Sequence, residues 1–376
     1  MENKILKVGV ISCSNMAVGH MKGVQNHPNA ELVAVCDIDE VKLSKFAVSH
    51  PNISTFGNYK DVLSSIKIDA VIVAVPHYFH GEMIEYFLRA GIHVLTEKPE
   101  CVSVLEARKI NNTAKECNSI FGIMYNQRTN PIYKRAKEII SLGLLGDLRR
   151  VSMTVTHWYR SQFYYDQGGW RATWQGEGGG ILINQCVHQL DLMQWMVGMP
   201  KKIRATCRTV NRNITVENDV TAFFEFDNGA TGVFIASGHE LQGTNRLEIA
   251  GNKGKIVIDG FKLSFFQYTH SENEVNACVT EGYGATDFIV EELCYEGAYR
   301  SRDEKYGQQL RVVDQFTKAI ENGEKPVAYG IEGINALSII NGIYLSHYKD
   351  KMVELPLDAK EYDDMLNELK VKEQKI

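Results

Sequence analysis

Six short apolar runs, each followed by a segment of helical length, fill the first 125 residues. The runs are Leu6–Ile11, Glu31–Cys36, Ile53–Phe56, Asp69–Val75, His93–Thr96 and Ile120–Tyr125. Between them lie helix-like stretches to about Asn26, then 41–49, 59–66, 81–90 and 103–117. Runs such as V-G-V-I and A-V-I-V-A-V are apolar at every position, as strands covered on both faces must be. Strands alternating with helices at this spacing predict a doubly wound parallel sheet. In such sheets a ligand sits beyond the carboxyl ends of the strands. Ser12–Ala17, Asp37, Pro76-His77, Glu97-Lys98 and Asn126–Arg128 all follow strand ends, so they are expected along one edge.

The first strand, helix and second strand form a βαβ unit with Asp37 at its close, which is the layout of a dinucleotide-binding fold. The glycine fingerprint is altered. Ser12 and Ser14 stand where glycines are usual, with Ala17 in the third place. Serine is small enough for close backbone approach, and its hydroxyl can donate to a phosphate, but it tolerates positive φ poorly. A carboxylate at Asp37 can bind both ribose hydroxyls, and Ile38 beside it offers no cation for a 2′-phosphate. NAD is therefore expected, not NADP. A plain turn residue in D-I-D-E is the alternative for Asp37.

From about Pro131 the pattern changes. A helix over 132–142 and a strand over 148–157 lead into an aromatic, glycine-rich loop, 158–180. That loop holds Tyr159, Tyr164, Tyr165, Trp170, Arg171 and Trp174, a composition suited to stacking on a polar ring. Packing within its own domain or against a neighbouring subunit is the alternative. Next comes G-G-G-I-L-I-N-Q-C-V-H-Q-L-D-L-M-Q-W, residues 178–195. Read as one helix, it puts Asn184, His188, Asp191 and Trp195 on one face of an otherwise apolar cylinder. A buried polar stripe needs partners; these are either each other and nearby backbone, or a bound molecule. Strand-like runs at 203–210, 220–226, 230–237, 246–250, 255–258 and 263–268, separated by turns such as Asp227-Asn228-Gly229, predict a largely antiparallel sheet. The stretch 269–306 carries few regular signals. Two helices, about 308–322 and 330–349, close the domain, and the charged tail 358–376 is expected to be peripheral.

The 376 residues suit two domains, divided here as 1–126 and 127–376. A net charge of -5 without a basic cluster argues against nucleic acid. No apolar stretch reaches membrane-spanning length, and no targeting signal precedes the first strand. The eight cysteines are scattered without a C-x-x-C pair, which suggests free thiols in a reducing cytoplasm and no metal site.

Several motifs occur together in order. They are Ser12–Ala17 with His20, A-V-C-D at 34–37, A-V-P-H with His80, A-G-I-H-V-L-T-E-K-P at 90–99, Y-N-Q-R at 125–128, G-D-L at 146–148, Trp170-Arg171, the G-G-G-x-x-x-N-x-x-x-H-x-x-D run and D-N-G-A at 227–230. In these the chain resembles the Gfo/Idh/MocA oxidoreductases, which include glucose–fructose oxidoreductase and inositol dehydrogenase. The resemblance implies an N-terminal Rossmann domain and a C-terminal α/β domain whose open, mainly antiparallel mixed sheet forms subunit interfaces, giving a dimer, tetramer or hexamer. It also implies NAD-dependent hydride transfer at a secondary alcohol of a sugar, glycoside or cyclitol. By position, Lys98 would bond the reacting hydroxyl, His188 would be the base, and Asn184 would hold the substrate or orient the base. Ser12, Ser14, Asn15, Met16, Asp37, Pro76, His77, His80, Glu97, Lys98, Asn126, Arg128, Trp170 and Arg171 would line the cofactor. Lys98, Tyr159, Tyr164, Trp174, Asn184 and His188 would meet the substrate. Asn184 stands where aspartate is commoner, so a charged Asp–His dyad is absent. Histidine titrates near neutrality and a lysine ammonium stabilises a developing alkoxide, so either Lys98 or His188 can carry the proton. A shared cleft between domains would bring the two together. Two other readings remain: transient use of bound NAD for epimerisation or glycoside cleavage through a 3-keto intermediate, and a nucleotide-sensing regulator on the same scaffold.

Overall fold

The computed structural model describes residues 5–295 and 302–375. The strands are β1 Leu6–Ile11, β2 Ala30–Cys36, β3 Ser54–Phe56, β4 Ala70–Val73, β5 His93–Thr96, β6 Phe121–Ile123, β7 Leu148–Val155, β8 Lys202–Arg208, β9 Asp219–Glu225, β10 Thr231–Ser237, β11 Asn245–Gly251, β12 Gly254–Asp259, β13 Lys262–Tyr268, β14 Phe288–Cys294 and β15 Val353–Glu354. The helices are α1 Asn15–Gln25, α2 Glu40–Ser49, α3 Tyr59–Ser65, α4 His80–Arg89, α5 Val104–Glu116, α6 Pro131–Ser141, α7 Gln162–Asp166, α8 Ile181–Asn184, α9 Val187–Val197, α10 Glu272–Cys278, α11 Arg302–Asn322, α12 Gly333–Tyr348 and α13 Ala359–Glu373.

Contacts separate two compact units, Met1–Thr129 with Gly297–Leu337, and Asn130–Glu296 with Ser338–Ile376. The first is built on a six-stranded sheet of order β3-β2-β1-β4-β5-β6, parallel throughout. That is the classical Rossmann order. Its helices begin where a side chain can accept a free N–H: Ser14 caps α1, Asp39 caps α2 and Ser103 caps α5. The division in space is not a single cut near 126. Val312, Val313 and Phe316 of α11 share one core with Ala17, Met21 and Val24 of α1. Gly23 permits the approach, since a Cβ there would stand 3.1 Å from Val313. Chain distant in sequence thus completes the first unit by burying its apolar face there.

The second unit is built on a nine-stranded sheet, β14-β13-β12-β11-β7-β10-β9-β8-β15. It is antiparallel except where β10 runs parallel to β7. Strict alternation puts Val151, Met153, Phe224, Phe234 and Leu247 in the core. The opposite positions, such as Thr221 and Phe223 with their partners Ile235 and Val233, stay partly open. The stretch 269–306 contributes α10 and the edge strand β14; 296–301 lie outside the described residues.

The tail is not peripheral. Residues 359–373 form α13, with Tyr362, Met365, Leu366 and Leu369 buried at helical spacing. Its Glu373 accepts the N–H groups of Trp174 and Gln175, each at 2.8 Å. The charges that made the tail look solvated are the outer face of an amphipathic helix.

Candidate functional site

In the first unit the site starts at the end of β1. Ser12 has φ of 131°, a region that favours glycine. Its N–H donates to the Cys36 carbonyl at 2.7 Å, and its hydroxyl accepts the Ser14 N–H at 2.9 Å. A serine therefore holds the tight turn that glycine holds by conformational freedom, and its own hydroxyl bridges it. Ser14 then caps α1 by accepting the Ala17 N–H. Asn15 and Met16 are exposed on the first helical turn, where backbone N–H groups have no partner within the helix and attract an anion. Asp37 reaches back from β2: one carboxylate oxygen accepts the Cys13 N–H at 2.6 Å, the other the Asp39 N–H at 2.9 Å. The turn, the helix N-terminus and the carboxylate together fit a dinucleotide.

The loop after β5 is fixed from below. Glu97 is buried; its Oε1 lies 2.8 Å from His20 Nε2 on α1, and its Oε2 accepts the Lys98 N–H at 3.1 Å. Lys98 itself is half-buried. Pro76 and Asn126 are half-buried at their strand ends, Asn126 donating to Gln308 at 3.3 Å, and His77 is buried.

The second unit holds the glycine run. Gly179 and Gly180 are required by contact: a Cβ on the first would fall on the Tyr344 hydroxyl, and on the second it would fall on the Glu217 carbonyl. Glu217 is buried behind them and accepts the N–H groups of Gly180 and Leu182 and the Tyr344 hydroxyl. Burial pushes its carboxyl up to about 7, with those donors pulling the other way. The expected single helix is broken. α8 stops at Asn184, and Cys186 N–H reaches back five residues to the Ile181 carbonyl at 2.8 Å, a π-type step that resets the phase before α9. From Ile181 to Gln194 only Asn184, Gln185 and His188 remain half-buried, and every other side chain is buried. Asp191 is among the buried ones and accepts from Gln194 at 3.0 Å, so it belongs to the packing. Asn184 donates its amide to Glu177 Oε1, and Glu177 Oε2 accepts the Ala172 N–H at 2.6 Å. The bond to a carboxylate fixes which end of the amide is the nitrogen.

Two family models match. An NAD-binding Rossmann oxidoreductase model covers residues 6–125, and a GFO/IDH/MocA C-terminal domain model covers 133–257. The chain belongs to the Gfo/Idh/MocA oxidoreductase family. It is an NAD-binding oxidoreductase acting on CH–OH groups. Its relatives include scyllo-inositol 2-dehydrogenase (NAD(+)) of Bacillus subtilis (strain 168), 24% identical over 96% of this chain and 98% of that one. Among solved structures, the WlbA dehydrogenase from Bordetella pertussis, in complex with NADH and UDP-GlcNAcA, shares the fold with a TM-score of 0.80. It is 23% identical and covers 95% of this chain and 100% of its own. Levoglucosan dehydrogenase with NADH and levoglucosan shares it at 0.78, with 20% identity over 93% and 99%.

Within this Gfo/Idh/MocA member, three residues expected at the ligand are placed otherwise. His80 is fully buried, its ring nitrogens 2.7 and 2.8 Å from the carbonyls of Pro99 and Val75, so it pins two loops together. Arg128 is buried, pairs with Glu332 at 2.7 Å and stacks on Tyr125. Trp174 is 2% exposed; its indole donates to the Thr215 carbonyl at 3.0 Å and its ring packs on Tyr344 and Tyr348. Each was read from residue type at a strand end or in a loop, and packing claimed the side chain. Tyr159 and Tyr164 do reach the surface, one exposed and one half-buried, and Trp170 and Arg171 stack on one another at 4.7 Å. Sequence reasoning passed over Glu177, Glu217 and Tyr344. Only Glu177, directly before the triglycine, stood where a local signal could have drawn notice.

Among the described residues no helix is long and apolar enough to cross a membrane, and no group of His, Cys, Asp or Glu could hold a metal ion.

Proposed function

We propose that the protein is an NAD-dependent dehydrogenase of a secondary alcohol on a sugar, glycoside or cyclitol, with Lys98 and His188 handling the proton. The observation that carries this reading is the surface of α8 and α9. Between Ile181 and Gln194 only Asn184, Gln185 and His188 are half-buried, and Asn184 is oriented from behind by Glu177. An amide followed four residues later by an imidazole suits an alcohol whose proton must leave. NAD, when bound, supplies the hydride acceptor. Asn15 and Met16 hold its pyrophosphate at the α1 N-terminus, and Asp37 meets the ribose hydroxyls. Ser12, Ser14, Pro76, His77, Glu97 and Asn126 border that ligand. Asn184 holds the substrate or orients the base, His188 takes the hydroxyl proton, and the Lys98 ammonium, set by the His20–Glu97 clamp on its backbone, stabilises the alkoxide. The inositol and levoglucosan dehydrogenases named above support this substrate class.

The test is NADH formation across inositols, free sugars, glycosides and nucleotide sugars, followed by variants on the best substrate. Lys98→Met is expected to cost about 100- to 1,000-fold in kcat, and His188→Ala about 100- to 10,000-fold. The double variant should fall well short of the product of the two losses, since the groups act as a unit. Full activity in either single variant refutes the assignment. Turnover of substrate without net NADH points to transient use of NAD. The partly open sheet face carrying Thr221, Phe223, Val233 and Ile235 is proposed as the surface of a cytoplasmic homo-oligomer, and light scattering showing a monomer refutes that.

A further inference from the structure

Three guanidiniums gather in the second unit. Arg160 lies over the rings of Trp158 and Tyr164, at 5.4 and 4.9 Å. Arg171 lies over Trp170 and the same Tyr164, at 4.7 and 5.5 Å. Arg212 lies over Tyr159 at 5.3 Å, and its Nε donates to the Arg160 carbonyl at 2.7 Å. All three are half-buried. Among the described residues their hydrogen bonds go to neutral oxygens: Arg160 to the Tyr159 carbonyl, Arg171 to the Tyr164 hydroxyl, and Arg212 to backbone. Among the described residues no acidic side chain pairs with any of them, whereas Arg135, Arg208 and Arg246 of the same unit each hold one. Arg160 Nε is buried with no hydrogen-bond partner among the described residues.

This arrangement is unfavourable as it stands. Like charges repel more strongly where water is partly excluded, and a buried guanidinium N–H without an acceptor carries a desolvation cost. A bound anion offsets both. Stacking on aromatic faces holds each planar fork in one orientation, ready for two-point contact with a carboxylate or phosphate. The cluster also stands next to the polar stripe. The Tyr164 hydroxyl that accepts from Arg171 accepts from Gln185 at 3.4 Å, and Gln185 follows Asn184 in the chain.

We propose that Arg160, Arg171 and Arg212 form an anion-recognition site and that the substrate carries a carboxylate or phosphate group held there. The second half rests on the dehydrogenase reading; the first does not. Calorimetry on NADH-saturated protein, so that the cofactor's own phosphates are already placed, tests both. The probes are D-glucuronate, D-glucose 6-phosphate, uridine diphosphate and the neutral methyl β-D-glucoside. At least one anionic probe should bind roughly tenfold or more tightly than the glucoside, and raising the ionic strength should weaken it. Glucuronate as the tight probe identifies a carboxylate; either of the others identifies a phosphate. Arg160→Gln and Arg171→Gln should each weaken that binding by roughly tenfold or more. Equal affinity for neutral and anionic probes, no anionic binding, or binding insensitive to both variants and to salt overturns the proposal. If neutral polyols yield NADH and no anionic probe binds through the arginines, this inference fails and the dehydrogenase reading stands. If anions bind through the arginines but neither neutral nor anionic sugars yield NADH, the anion site stands and the dehydrogenase reading fails.

Discussion

Glu217→Gln should remove a pH dependence from the stability of the second unit. The carboxyl sits behind the triglycine turn, where Oε1 accepts the Tyr344 hydroxyl at 2.8 Å and the Leu182 N–H at 3.0 Å, and Oε2 accepts the Gly180 N–H at 3.0 Å. These donors favour the charged form, but burial outweighs them and lifts the group from 4.5 to about 7. In the unfolded chain it returns to an ordinary carboxylic acid. Between pH 4.5 and 7 the folded chain therefore keeps a proton that the unfolded chain has lost. The contribution is complete below 4.5, falls as pH rises, and is gone above about 7. At about 1.4 kcal/mol for each pH unit between those values, the loss is about 3 kcal/mol. Urea unfolding of the parent and of Glu217→Gln, in steps from about pH 4 to pH 8, isolates this one group. The variant will carry an offset of about 1–3 kcal/mol, because its amide turns a donor toward the Gly180 N–H. The offset does not matter. What matters is that the difference between the two proteins changes by about 3 kcal/mol across the window, in favour of the variant at higher pH. Parallel curves would show that Glu217 does not titrate there and that its burial has been misjudged.

Trp174→Ala should cost about 3–5 kcal/mol of stability, as a core truncation does, and leave the KM for any substrate unchanged; a raised KM at unchanged stability would return Trp174 to the ligand. Glu177→Gln can no longer accept from both the Ala172 N–H and the Asn184 amide, a loss of about 1–3 kcal/mol. It should lower kcat with the NAD dissociation constant unchanged, and normal kcat would break the link between Glu177 and Asn184. Asp37 should make NAD preferred over NADP by about five- to a thousand-fold, from like charges about 4 Å apart repelling by roughly 1–4 kcal/mol. Equal or tighter NADP binding in equilibrium titration sinks that assignment.

Order and spacing along the chain were enough to determine the two architectures. Apolar runs such as Leu6–Ile11 and Ala70–Val73 are local, and their alternation with capped helices admits little besides a parallel sheet with Ser12–Met16 and Asp37 at its edge. The D-N-G turn with its flanking alternation specified the β9–β10 hairpin in the same way, and the triglycine, Asn184 and His188 marked the second unit's polar stripe. The rest was decided where distant chain meets. Hydrophobic period cannot reveal the π-type step at Cys186, because side chains are buried on nearly every face of this segment, Gln189 and Asp191 included, and no broad solvent face fixes the phase. Residue type cannot separate Trp174, which three other segments enclose, from Tyr164, which faces the arginines. Arg128 and His80 carry the right chemistry for a ligand, and Glu332 in one case and two backbone carbonyls in the other consume it. A polar group's availability depends on which partners the fold brings within about 3 Å, and those partners lie from 5 to 204 positions away in the chain. Local sequence sets what a side chain can do; only the tertiary contacts set whether it is free to do it.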